Sequence, residues 1–291
     1  MRLRYVNIES KKVTDVAKSK VWEYRSYDWS PDSKWIAYAE ALENDMSQIR
    51  LFNTQSGETT NVTKGWYSST RPEFGKDGKY LFFSSDRDFN PIYSRTEWNH
   101  AYKDMGKIYL VTLSKDTPSP FAAENDVVMQ ENEEETDEES FKIDTDGISN
   151  RLINLPVKAG VYYSLQSTGD KLFYLSRVDS ESSLKYFDLE KEEEKNLEFR
   201  GGYEISHDGK KMLVGKSKSY AIIPLPSSKI QMKDKLDLSE MKVWVDKMAE
   251  WKQIFDESWR QMRDFFYVPN MHGVDWKAMH DKYGQMLPYV N

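Results

Sequence analysis

The chain has 291 residues and a net charge of −7, long enough for one or two domains with a sizeable core. It contains no cysteine, which excludes disulfides, thiolate metal sites and a cysteine nucleophile. No apolar run approaches the roughly 20 residues of a membrane span, and no basic patch interleaved with aromatics points to nucleic acid.

The opening run, Met1-Arg2-Leu3-Arg4-Tyr5-Val6-Asn7-Ile8, reads as a strand rather than a signal peptide, since no uninterrupted apolar stretch follows its basic residues. A soluble chain is expected, with the compartment, cytoplasmic or periplasmic, left open. Leu3 to about Val16 look like the last two strands of a sheet whose first half is missing.

A cadence then recurs: an apolar run, a tight turn ending in Lys, and a second apolar run. Its copies are Trp29-Ser30-Pro31-Asp32-Ser33-Lys34-Trp35, Phe74-Gly75-Lys76-Asp77-Gly78-Lys79-Tyr80, Leu165-Gln166-Ser167-Thr168-Gly169-Asp170-Lys171 and Ile205-Ser206-His207-Asp208-Gly209-Lys210-Lys211. Pro, Asp and Gly satisfy the dihedral demands of a hairpin turn, and the aromatic and branched flanks suit strands. A third alternating strand follows each hairpin, at Ile49-Arg50-Leu51-Phe52, Ile108-Tyr109-Leu110-Val111, Leu184-Lys185-Tyr186-Phe187 and Tyr220-Ala221-Ile222-Ile223. A fourth, edge strand such as Glu58–Thr63 completes the unit. Four-stranded antiparallel units repeating about every forty residues are the signature of a β-propeller. The fold class expected is therefore mainly β, with about four and a half blades present and a small helical segment after them.

The closing lysines fall at 34, 79, 171 and 210. The long interval between Lys79 and Lys171 reads as one blade carrying two insertions, at about 86–106 and 123–149, with Arg151–Leu155 as its delayed fourth strand. Residues 123–140 hold nine acidic residues and no Lys or Arg, so the remainder of the chain carries about +2. This run reads as a solvated loop. In the first insertion, Asp86 and Asp88 read as turn formers and partners of Arg87. Tyr93, Arg95, Trp98, His100 and Tyr102 are candidate peptide-contacting residues, the alternative being a self-packed excursion.

The language changes near the end, dividing the chain into a partial propeller over 1–230 and a segment over 231–291. Met241–Val245 reads as a short strand and Asp246 as an N-cap. Trp251, Ile254, Phe255, Trp259, Met262, Phe265 and Phe266 recur at helical spacing. Val268-Pro269-Asn270 breaks this helix. Asp275 caps a second one, whose stripe is Trp276, Met279, Tyr283 and Met286. Two such helices cannot bury their stripes on each other alone.

Five longer strings, in this order, resemble the bacterial homologues of tricorn protease: Ser85-Asp86-Arg87-Asp88-Phe89-Asn90-Pro91, Asp116-Thr117-Pro118-Ser119-Pro120-Phe121, Ile143-Asp144-Thr145-Asp146-Gly147-Ile148, Glu250–Arg260, and Arg263-Asp264-Phe265-Phe266-Tyr267 leading to Asn270–Trp276. The resemblance runs from about residue 20 to the end. It implies the later blades of a second, seven-bladed propeller, followed by the opening helices of the first catalytic subdomain. It further implies a parent serine peptidase that trims peptides, with a PDZ-like module. The family's nucleophilic Ser, orienting Glu and catalytic His are expected beyond Asn291, so this segment would channel or gate peptide and support the catalytic core. Implied partners are peptides and the remaining blades and domains of the parent, with assembly into a homo-oligomer left open.

The residues themselves carry no catalytic set. No Gly-x-Ser-x-Gly elbow occurs, and no His-Glu-x-x-His or clustered His and Asp argues for a metal or another cofactor. His207 sits in a blade turn, and His280 is placed on the polar side of the second helix. His272, in the loop between the helices, is the remaining candidate base, read first as a residue that caps or packs. The alternatives are a stand-alone propeller that binds other proteins without catalysis, and the propeller of a prolyl-oligopeptidase-type enzyme.

Overall fold

The computed structural model describes residues 1–89, 91–93, 100–122 and 141–289, with the backbone alone at 91–93, 100 and 101. The chain divides into two compact units, Met1–Leu236 and Asp237–Asn291.

The first unit is a succession of antiparallel sheets. β1 (Arg2–Val6) and β2 (Val13–Lys18) pair alone. β3 (Tyr27–Trp29), β4 (Trp35–Ala41), β5 (Ser47–Asn53) and β6 (Thr59–Asn61) form the first four-stranded blade in chain order. The next contains β7 (Ser69–Phe74), β8 (Tyr80–Asp86), β11 (Gly106–Thr112) and β12 (Leu152–Asn154), with the small hairpin β9 (Pro91–Tyr93) and β10 (His100–Tyr102) inserted between its second and third strands. Leu152 pairs with Val111, so the delayed fourth strand closes the same blade across both insertions. β13 (Val161–Ser167), β14 (Lys171–Val178), β15 (Glu181–Asp188) and β16 (Glu193–Phe199) form another four-stranded blade. β17 (Gly202–Ile205), β18 (Lys211–Lys216) and β19 (Ser219–Pro224) form the last sheet. Its fourth-strand position is held by one bridge, Ala221 to Lys235, and by Leu236 N–H donating to the Tyr220 carbonyl at 2.8 Å.

Three of the four recurring turns, all but the one closed by Lys171, share one arrangement. In the first and last copies, Ser30 and Ser206 Oγ donate to Asp32 and Asp208 at 2.6 Å and accept from Trp35 and Lys211 N–H at 2.9 Å. Asp32, Asp77 and Asp208 each accept from the N–H of the closing Lys two residues on. The residue before that Lys is left-handed: Ser33 at φ 58°, Gly78 at 71° and Gly209 at 68°. That conformation is why Gly recurs there.

The three four-stranded blades bury both faces of their middle strands. Because side chains alternate along a strand, Leu81 and Phe83 enter a core shared with the preceding blade, around Ala37 and Leu51. Tyr80 and Phe82 enter the core shared with the following one, around Leu172 and Tyr174. Phe173 continues the pattern into the next interface, with Met212 and Val214. Two-sided burial explains why these strands read as continuous apolar runs.

The second unit is helical. Asp246 caps α1 (Lys247–Phe265) by accepting from Met248 and Ala249 N–H, and Asp275 caps α2 (Trp276–Gly284) by accepting from Ala278 N–H. The helices are joined by paired indoles. Trp259 Nε1 donates to the Trp276 carbonyl at 2.7 Å, and Trp276 Nε1 donates to the Trp259 carbonyl at 3.0 Å. The strand expected at Met241–Val245 does not form: the segment is irregular, and Trp244 is fully exposed. Its alternating residues have β propensity, but a strand exists only when a neighbour takes its hydrogen bonds, and no described residue pairs with this one.

Candidate functional site

The first strands of successive blades lie side by side and are latched by a repeated side-chain acceptor. Asp28 Oδ2 accepts the Phe74 N–H at 2.7 Å, Glu73 Oε1 accepts the Ser167 N–H at 3.1 Å, and Gln166 Oε1 accepts the Ile205 N–H at 2.8 Å. Asp28, Glu73, Gln166 and Glu204 occupy the same place in the strand register, one pair ahead of the hairpin's last pair. Burial pushes the Glu73 carboxyl well up from its ordinary range, and the nearby Asp28 and Glu204 charges add to this. Asp28 is pushed up by burial as well.

Beside this row, between the starts of β3, β7 and β13, opens a cleft of about 650 Å³ lined in part by Arg25, Tyr27, Thr70, Arg71, Tyr163 and Ser164. β7 and β13 are both bulged here, with Arg71 at φ 58° and Ser164 at φ 52°. A bulge bends its strand and re-aims the side chains at it.

Antiparallel strands alternate direction, so the link into a blade's first strand and the link between its second and third strands leave from one edge. The β9–β10 insertion therefore stands at the edge where the first strands begin. Aromatics gather there. Tyr67 and Phe89 rings lie 5.7 Å apart, and Phe89 meets Tyr102 edge-on at 6.0 Å. Phe89 and Tyr102 are 54% and 53% exposed. The Arg87 guanidinium lies 5.3 Å from the ring centres of both Tyr67 and Tyr109.

The expected pairing of Arg87 with Asp86 and Asp88 is not found. Asp88 pairs with Lys107 at 2.5 Å, and Asp86 is influenced by Arg71. Only Asp86 lies on β8; Arg87 follows its end, its Nε donating to Ser85 Oγ and its guanidinium lying beside two tyrosine rings instead. Of the candidate contact residues, Tyr102 joins the aromatic cluster, Tyr93 and His100 lie in the hairpin by backbone position, and Arg95 and Trp98 lie outside the described residues. The acidic run at 123–140 lies outside them too.

In the helical unit, His272 is exposed at φ 54°, its Nε2 hydrogen-bonded to the Tyr267 hydroxyl. His280 does not occupy a polar helix face. Its ring packs 4.9 Å from those of Phe255 and Trp259, and Nε2 meets Asp256 at 2.8 Å. Its Nδ1 faces Asp281 at 3.5 Å, where a catalytic base would present a nucleophile instead. Helical spacing brought the residue round to α1. Among the described residues, no three His, Cys, Asp or Glu side chains cluster in a way that could hold a metal ion, and no helix is long and apolar enough to cross a membrane.

Two family models match this chain: the tricorn protease second beta propeller domain over residues 1–225, and the tricorn protease C1 domain over residues 248–291. It is 30% identical over 316 residues to tricorn protease homolog 1 of Streptomyces coelicolor, covering 99% of this chain and 30% of that one. It is 25% identical to the tricorn protease homolog of Saccharolobus solfataricus, covering 91% of this chain and 25% of that one. The crystal structure of the tricorn protease superposes with a TM-score of 0.80 at 18% identity, over all of this chain and 29% of that one. The chain thus spans about a third or less of the length of these relatives.

Proposed function

The chain belongs to the tricorn protease family as a propeller and C1 segment, and on that premise we propose that it channels or gates peptides toward a serine-type catalytic centre supplied by the rest of the parent. The parent family consists of peptidases. In this reading residues 1–230 are the channelling part and 231–291 begin the catalytic support, docking to further blades and to a PDZ-like domain. The nucleophile lies outside the chain, which is inactive alone. The observation that carries the proposal is the cleft of about 650 Å³ where the first strands of three blades converge, beside an edge rich in exposed aromatics. Grooves with aromatic walls and a few polar groups suit peptides.

Fluorogenic peptides test this with the chain alone, the full-length gene product and a Ser→Ala variant of its downstream nucleophile. The chain is expected to be inert, and the full-length protein to cleave and to lose activity on that substitution. In the full-length protein, Thr70→Trp should narrow the cleft and slow long peptides more than a dipeptide substrate. Hydrolysis by the chain itself, lost in His272→Ala, overturns the proposal. Equal slowing of long and short substrates by Thr70→Trp removes the channelling part alone.

A further inference from the structure

Arg87 is held both at its stem and at its guanidinium. Its stem is fixed by Nε donating to Ser85 Oγ at 3.0 Å, and that hydroxyl shares a 2.8 Å hydrogen bond with Ser69 Oγ. Both serines are fully buried. Two tyrosine rings flank the guanidinium at 5.3 Å, and burial lowers its proton affinity. Yet among the described residues no carboxylate pairs with it. Asp88 is neutralised by Lys107, and Asp86 lies under the influence of Arg71.

Two other half-buried arginines have terminal nitrogens answered within the fold, although the Arg50 Nε finds no partner among the described residues. Arg50 meets Glu40 at 2.8 Å. Arg151 donates to the carbonyls of Thr112, Leu113, Asp144 and Asp146. Arg87 keeps its two terminal nitrogens without such partners among the described residues. With Nε occupied, those two nitrogens present the end of the fork, a geometry that takes the two oxygens of a carboxylate. Taking a cation from water without a counter-charge is unfavourable, and an incoming anion relieves it. Beside it the exposed rings of Phe89 and Tyr102 offer an apolar platform.

We infer that Arg87, with Phe89 and Tyr102, anchors a carboxylate carried by a peptide, the neighbouring apolar side chain of that peptide resting on the two rings. The anchor stands at the edge where the first strands begin, and it rests on the peptide-handling reading above. The carboxylate is supplied either by the C-terminus of the peptide or by an Asp or Glu side chain.

Isothermal titration calorimetry on the 291-residue chain tests this. Three short peptides ending in Phe are compared: the free acid, the C-terminal amide, and an amide with Glu before the Phe. The free acid is expected to bind about tenfold more tightly than the plain amide, as a charge-assisted pair requires. Arg87→Gln should abolish that preference, and Arg87→Lys, which keeps the charge but not the fork, should restore only part of it. Tyr102→Ala, at an exposed position, should weaken acid and amide alike. Preference for the free acid only assigns the anchor to peptide C-termini, whereas equal gain from Glu assigns it to carboxylates generally.

Equal affinity of acid and amide overturns the anchor and leaves the peptide-handling reading standing. A preference that survives in an Arg87→Gln protein of unchanged melting temperature overturns it too. If Arg87→Gln does not fold, a full preference retained by Arg87→Lys has the same meaning. Failure of all three peptides to bind the wild-type chain overturns both readings.

Discussion

At the scale of single residues, the informative position is Glu73. Its carboxyl serves one backbone donor, the Ser167 N–H, and is surrounded by acids rather than bases, with Asp28 and Glu204 near it and only Lys76 opposing them. The folded state therefore holds its proton more tightly than the unfolded chain does. Its favourable contribution is full below the ordinary Glu value of about 4.3 and is lost as pH rises through the raised one. Glu73→Gln keeps an acceptor for Ser167 and removes the charge. It should raise the urea midpoint at pH 7, with the advantage closing as pH falls toward 4; a variant less stable than wild type at pH 7 would show that the charged form is the one the fold needs. Such a latch was legible only in part. Asp28, Glu73 and Glu204 share a column of the repeat, which the sequence displays, whereas Gln166 joins them only through the strand register. That their side chains reach across to the next blade depends on how closely the first strands approach.

At the scale of elements, the helix pair shows how a stripe of aromatics becomes a specific contact. Helical spacing places Trp259 and Trp276 on inward faces, but their paired bonds exist because each indole N–H finds the other's backbone carbonyl. A half-buried indole otherwise leaves its donor unpaired. Trp259→Phe keeps an aromatic ring but removes the pyrrole part with its donor, and should lower stability by at least about 1 kcal/mol, read from a urea titration followed by far-UV circular dichroism. A change within error would mean that water replaces the bond without loss. His280 belongs to the same contact. Its placement on a polar face failed because the stripe, taken from apolar residues alone, omits an imidazole that packs by its ring and pairs by its nitrogen.

At the scale of the whole molecule, the chain is two units, and the stretch of the second that precedes its first helix has few bonds of its own. Met241, Val243 and Trp244 are 68%, 77% and 101% exposed. Limited trypsin digestion should therefore cleave early after Lys242, leaving a fragment that contains the sheet unit. Protection of Lys242 in the isolated chain would mean that this stretch is covered in solution. Exposed apolar residues also mark the last sheet, where Leu213, Tyr220 and Ile222 are 38%, 40% and 51% exposed. In the interfaces further back, the equivalent strands bury both faces, as Leu81 and Phe82 do.

The sequence by itself determined the blade repeat, its turns, the single blade spanning two insertions and the two capped helices. These rest on local chemistry: a left-handed residue before the closing Lys, period-two apolar strands, and Asp side chains at helix starts. Only the tertiary structure decided that Met241–Val245 is not a strand, that Arg87 lies between tyrosines instead of beside its sequence neighbours, and that three first strands open one cleft. Each of these depends on which distant backbone or ring arrives to pair, and residues far apart in the chain meet only when the sheets pack.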